Sequence, residues 1–225
     1  MPCQYVWMGV IKMATKYVIE EDDDYFLVHF LQRYLIGIDG IIAGGCFKNI
    51  FKKQKVKDID IFFRSEDAFN KALDVYKDKI NDGKFKIKYK NKNVVAFYDI
   101  EHDITVELIK KKFYGTEEKL LDEFDFTITK FAYYFEMDED ADGNLIFDYY
   151  VMYHEKFFEH LLTNKLVIED QNLKFPFSTF ERALRYTKYG YSLCRQSKIN
   201  LIKNIRNQDS FNEDELSNSL YDGLD

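Results

Sequence analysis

The chain has 225 residues, 46% of them apolar and 17% aromatic, and a formal net charge of −7. That length and apolar content exclude a disordered chain and suit one large domain, or a compact domain with a smaller helical appendage. Asp209, Glu213, Asp214, Glu215, Asp222 and Asp225 lie in a closing stretch without Lys or Arg, so the remainder is near neutral and the acidity does not exclude a nucleic-acid partner.

Cys3, Cys46 and Cys194 are scattered, with no metal-ligand spacing and no disulfide framework, which suits a reducing cytoplasm. The opening MPCQYVWMGVIKMATKY lacks the apolar core of a signal peptide, and Met8 and Met13 are alternative starts. No run reaches the roughly eighteen apolar residues of a membrane span, so the expectation is a cytoplasmic protein without a membrane partner.

In chain order, residues 20–36 predict a helix. Acids crowd its first turn, and Phe26, Phe30 and Tyr34, with Leu27 and Leu31, recur at helical spacing. IIAGG predicts a short buried strand ending in glycine, FKNIFKK a helical turn or two, and DIDIFF a second strand. Residues 65–82 open on a capping signal and carry Phe69, Ala72, Leu73, Tyr76 and Ile80 on one face, an amphipathic helix stopped by Gly83. KFKIKYK alternates, with Phe85, Ile87 and Tyr89 read as inward, and NKN turns it into VVAFYDI. EHD turns the chain again into ITVELIK.

Residues 116–135 predict a helix despite their β-branched content, and 138–144 a loop. Residues 157–165 predict a short helix, and 180–194 another, which INLIKNIRN extends. The tail beyond 209 reads as weakly helical or disordered. The expected organisation is a catalytic palm over 20–112, a helical neck-like region over 113–208 and an acidic tail over 209–225.

The carboxylates point to the chemistry. Asp58 and Asp60 fall on one face of a strand, because side chains alternate with period two, while Ile59 and Ile61 face the core. Glu107, between Val106 and Leu108, has the same apolar setting. Three carboxylates on adjacent strands make a hard, oxygen-rich site suited to one or two Mg²⁺ ions, with Mn²⁺ as the substitute. Two such ions can bridge a nucleoside triphosphate and activate an attacking hydroxyl. Asp103 and Glu101 are alternative third ligands, although they sit in a turn signal. Gly44 and Gly45 at a strand end would let backbone N–H groups approach phosphate, and Lys48 on the following turn could meet the triphosphate. The lysines of 48–57 read equally as a phosphate funnel or a solvated loop.

These residues carry a resemblance. GG, twelve residues and then DID, with ELI later, resembles the DNA polymerase β-like nucleotidyltransferases. The pattern is most similar to the head and neck of tRNA nucleotidyltransferases, the CCA-adding enzymes and their poly(A) polymerase relatives. Their first motif reads GG-x-x-R-D-(eight residues)-D-x-D; here Lys48 and Asn49 replace the Arg and Asp. FDFTITKFAYY resembles R-R-D-F-T-I-N-A through Asp125, Phe126, Thr127 and Ile128, and RALRYTKYGY resembles the neck segment R-A-I-R-F-A-x-R-x-G-F. The patches run over about residues 25 to 195. Glu123 and Phe124 replace the arginines before D-F-T, and Phe175, Pro176 and Thr179 occupy the places of the base-reading E-D-x-x-R.

The resemblance implies an α+β fold, a twisted, mostly antiparallel sheet with flanking helices and a C-terminal helical neck. It implies an NTP partner held by Gly44, Gly45, Lys48, Asp125, Thr127, Arg182 and Arg185, with Asp58, Asp60 and Glu107 as catalytic metal ligands. Against this, Asp125 and Thr127 are residues that more often cap or brace a helix than touch ligand, and Arg182 and Arg185 read equally as ion-pair partners of the acidic loop. The expected activity is Mg²⁺-dependent transfer of a nucleoside monophosphate from an NTP to an acceptor hydroxyl, foremost an RNA (tRNA-like) 3′ end. The alternatives are a toxin- or defence-type nucleotidyltransferase acting on tRNA or protein, and a non-catalytic nucleotide-binding palm working through a partner.

Overall fold

The computed structural model describes residues 16–208 except 141 and 171. The chain opens with β1 (Tyr17–Glu21), a 3₁₀ turn (Asp22–Asp24) and the single helical turn α1 (Gln32–Leu35). There follow β2 (Ile41–Ala43), α2 (Cys46–Phe51), β3 (Asp58–Phe62), α3 (Glu66–Asn81), β4 (Phe85–Lys90), β5 (Val94–Asp99) and β6 (Ile104–Ile109). Next come α4 (Glu117–Leu121), β7 (Phe131–Glu139), β8 (Leu145–His154), α5 (Phe157–Leu162) and β9 (Lys165–Leu166). The long helix α6 (Pro176–Lys188), β10 (Ser192–Leu193) and α7 (Arg195–Arg206) close the described chain.

Eight strands form one sheet in the order β1-β8-β7-β2-β3-β6-β5-β4. Its pairs are antiparallel except β3 with β6. The α+β architecture with a mostly antiparallel sheet and flanking helices is thus as expected. One face packs against α1, α2, α3 and α5 through Tyr34, Phe47, Ile59, Ile61, Tyr76, Phe131 and Phe157. The other buries Ile41, Ala43, Phe62, Ala132 and Tyr134 under Leu120, Leu121 and Phe124 of the α4 region. The α3 prediction holds in detail: the Ser65 hydroxyl accepts from Ala68 N–H, and Gly83 takes φ +74° just beyond the helix.

Other expectations are corrected. Residues 20–36 are not one helix. Tyr17–Glu21 is an edge strand on β8, and Asp22 is buried, accepting hydrogen bonds from Tyr133 and Gln32. Phe26, counted in the helical stripe, is 71% exposed.

Residues 116–135 are also not one helix: only Glu117–Leu121 is, and Phe131 begins a strand. Residues 131–135 are buried throughout, odd positions in one core and even positions in the other. Two-sided burial removes the alternation that would mark a strand, and β-branched and aromatic content decides the outcome. The loop read at 138–144 is mostly the tip of the β7–β8 hairpin, so the sheet does not stop at 112 but takes in residues up to 154.

Finally, INLIKNIRN does not extend the preceding helix. Gly190 (φ +87°) and the parallel β9–β10 pair separate α7 from α6. In β4 only Phe85 is buried; Ile87 is 61% exposed. The expectation for the tail beyond 209 lies outside the described residues.

Candidate active site

β3 and β6 set the carboxylates. In their parallel ladder Asp58 lies beside Thr105 and Asp60 beside Glu107. Adjacent partners in a ladder project to the same face, so Asp58, Asp60 and Glu107 share one side of the sheet. Ile59 and Ile61, fully buried, anchor the opposite side. Replacing either by a polar residue would strand it in the core, which is why the aspartates alternate with isoleucines here.

Glu107 is half-buried and accepts a hydrogen bond from the Tyr89 hydroxyl. Burial holds its carboxyl above the usual glutamate range, and the charge of Asp58 adds to this; the Tyr89 hydrogen bond and Lys88 oppose it. Tyr89 was expected to point into the core and instead reaches across from β4. Lys88 donates to Thr105 Oγ1 at 2.6 Å. Asp103, one alternative third ligand, sits in a turn at φ +56° and is taken up by Lys55 and by Tyr98 at 2.7 Å; Glu101 is exposed.

Asp58 and Asp60 line a cleft of about 350 Å³ between the α2 region and the end of α6. Gly45, Lys48, Arg185, Tyr186, Tyr189 and Tyr191 line it with them. Gly45 caps α2 and no side chain takes that role. Lys48 Nζ donates to the Gly45 carbonyl at 3.0 Å and lies 5.4 Å and 5.8 Å from the Tyr186 and Tyr189 ring centroids. Gly44 is tied into the sheet. Its N–H donates to the Phe131 carbonyl at 3.1 Å, extending the β2–β7 ladder, and its φ of +100° turns the strand into α2. Cys46, beside it, is buried, and burial pushes its thiol up.

The other expected nucleotide ligands lie elsewhere. Thr127 is fully buried, with Oγ1 2.7 Å from His160 Nδ1. Asp125 accepts from Arg182 Nε at 2.9 Å and from its Nη2, while Arg182 Nη1 donates to Ser178 at 2.6 Å. Burial holds the Asp125 carboxyl above its ordinary range, with the Arg182 charge opposing it. These three residues therefore brace the D-F-T segment against α6, and the cleft lining does not include them. Of the seven expected nucleotide-binding residues, the structure brings Gly45, Lys48 and Arg185 together with the aspartates. The cleft tyrosines were missed; the signal was the aromatic spacing in RALRYTKYGY.

Among the described residues, no group of three or more His, Cys, Asp or Glu side chains converges closely enough to hold a metal ion. The donor set nevertheless fits a hard divalent cation. It is all oxygen, lies on one sheet face, and includes a carboxyl whose acidity is weakened by burial and by a neighbouring anion, a condition that a cation relieves. No helix among the described residues is long and apolar enough to cross a membrane.

Residues 15–164 match the family described as Gabija anti-defense 2 family protein. The chain belongs to that family. A relative named Gabija anti-defense 2, from Bacillus phage SPbetaL7, is 25% identical over 164 residues, 73% of this chain and 36% of the relative. The chain thus spans well under half of that relative's length. Among solved structures, a CCA-adding enzyme in complex with ATP matches with a TM-score of 0.60 at 14% identity, over 90% of this chain and 50% of the other. A CCA-adding enzyme with CTP matches at 0.58 and 14%, over 84% and 47%. The Thermotoga maritima CCA-adding enzyme complexed with tRNA_CCA matches at 0.55 and 14%, over 84% and 46%. The chain spans about half of these enzymes. Likeness at this identity establishes a nucleotidyltransferase fold for this member of the anti-defense family.

Proposed function

We propose that the chain is an NTP-dependent nucleotidyltransferase serving phage anti-defence. The observation that carries this reading is the pair Asp58 and Asp60 lining one cleft with Lys48 and Arg185, with Glu107 beside Asp60 in the parallel ladder. Anions facing cations across a cleft suit a metal-bridged triphosphate. Asp58, Asp60 and Glu107 would hold Mg²⁺, or Mn²⁺ in its place. The bound metal would neutralise the triphosphate and acidify the acceptor hydroxyl.

Gly45 and Lys48 hold the phosphates from the start of α2, and Arg185 closes on them from α6. Glu107, beside Asp60 on the same face, is the group assigned to take the acceptor's proton. The acceptor oxygen bonds to the α-phosphorus as the bond to the β-phosphate oxygen breaks, and pyrophosphate leaves. The favoured acceptor is an RNA 3′ end, tRNA first among candidates, which supports reading the anti-defence role as modification of RNA in the infected cell.

The test is incubation with each labelled NTP, Mg²⁺ and total RNA, with Asp60→Asn alongside. Label in RNA that is lost in the variant is the expected result. Label in protein moves the acceptor. Retained NTP binding with no label anywhere would make the fold a non-catalytic palm.

A further inference from the structure

One end of the cleft lining, from the end of α6 onward, is built from tyrosines. Tyr186 is buried against Tyr191, edge to face with ring centroids 5.8 Å apart, and against Tyr189 at 6.2 Å. Tyr189 exposes 61% of its surface and Tyr191 only 4%. Tyr191 lines the cleft, yet its hydroxyl is buried without a hydrogen-bond partner, a condition found at no other buried side-chain polar atom among the described residues. Lys52 does not answer it: its ammonium sits 4.3 Å from the ring centroid and donates to Asn164 Oδ1. Buried hydroxyls are almost always satisfied, so an orphan in the wall of a cleft is a candidate contact for a bound ligand.

We propose that the nucleobase of the bound NTP sits at this tyrosine-lined end, stacked on the exposed Tyr189 ring and hydrogen-bonded to the Tyr191 hydroxyl. The inference rests on the nucleotidyltransferase reading given above. The spacing suits it: Lys48, the expected phosphate contact, lies 5.8 Å from the Tyr189 ring centroid, within the reach of one nucleotide. Burial pushes the Tyr191 phenol up to about 12, so it stays protonated near neutrality and can either donate or accept. One hydroxyl with both capabilities meets an acceptor on one base and an amino group on another. The pocket therefore anchors a base without selecting strongly among the four, which stacking alone would not do either.

The experiment compares NTP and inorganic tripolyphosphate binding by calorimetry for the full chain and three variants. Tyr191→Phe should weaken NTP binding about tenfold. It should leave tripolyphosphate binding unchanged and the melting temperature equal or higher, because the orphan hydroxyl is gone. Tyr189→Ala should weaken NTP binding about tenfold or more, and Tyr189→Phe should retain it, since the ring and not the hydroxyl does the stacking. Equal NTP affinity in wild type and Tyr191→Phe would overturn the proposal, as would parallel losses for NTP and tripolyphosphate. A wild-type chain that binds tripolyphosphate but no NTP overturns the base site alone. One that binds neither removes the nucleotide reading and this inference with it.

Discussion

Arg182 separates a structural from a ligand-binding reading of the α6 arginines. Its side chain is 5% exposed and that of Asp125 11%, and the two are joined by paired hydrogen bonds, with Ser178 taking a third donor. Arg182→Met keeps most of the buried volume but leaves the Asp125 carboxylate without its cation. Breaking one side of a buried pair costs about 3–5 kcal/mol. At roughly 2–4 °C per kcal/mol for a chain of this size, the melting temperature should fall by about 6–20 °C. The loss should shrink as pH falls, because burial already raises the Asp125 carboxyl and the stranded group escapes its penalty by taking a proton. Asp125→Asn combined with Arg182→Met should recover part of the loss, the signature of coupled neighbours. Thermal melts at several pH values, with NTP titration of the folded variant, decide the matter. A variant that melts with wild type but binds NTP tenfold more weakly would show that the guanidinium faces ligand and that the bracing argument is wrong.

Three further outcomes follow from the geometry. Glu107→Gln should lower kcat by about a hundredfold to ten-thousandfold and flatten the acid limb of the pH profile. An acid limb unchanged in the variant would assign the proton to another group. Gly45→Val should weaken tripolyphosphate binding more than it lowers stability, because a branched side chain enters the space of the phosphate, and calorimetry beside a melt tests this. Lys130 is buried and its ammonium is pushed down to about 8, so the unfolded chain holds more protons between about pH 8 and 10.5 and the penalty is complete below that window. Lys130→Met should therefore be more stable than wild type by roughly 3 kcal/mol at pH 7, with the gain fading as pH approaches 10.5; a gain independent of pH would exclude this cause.

Local signals were the legible ones. The glycine pair, the DID strand and the capped amphipathic helix after it are short-range patterns, and each stands where the sequence placed it. That Glu107 lies on a strand next to the aspartates was legible in the apolar setting of both segments; its register beside Asp60 in a parallel ladder was not. What could not be read depended on distant partners. Phe131 to Phe135 is buried on both faces, odd positions in one core cluster and even positions in the other, so its periodicity vanished. The acids after β1 look like a helix start until Tyr133 claims Asp22 from 111 positions away. Asp125 and Thr127 carry a nucleotide-binding motif by resemblance, yet Arg182 and His160 occupy their polar groups. The cleft tyrosines read as an amphipathic helix end, and only the turn at Gly190 brings Tyr191 back to the wall.

Strand order also governs when this protein can become a protein. The β3–β6–β5–β4 half is assembled from neighbours in sequence, apart from one crossover, and can close as soon as residue 109 is available. The other half is not. Ile42 waits for Tyr133, and Tyr17 waits for His154. Pairings of such separation must meet the loop-closure entropy before any contact rewards them, so they form late. During synthesis, then, β2 has an open edge and β1 has no partner until the chain has run to residue 154. A fragment cut at 112 would keep every expected metal ligand and lose β7, the strand that pairs with the other side of β2, exposing an edge suited to intermolecular pairing. The span matched to the family, residues 15–164, encloses all eight strands of the sheet, so it carries both the expected metal ligands and the late-pairing strands.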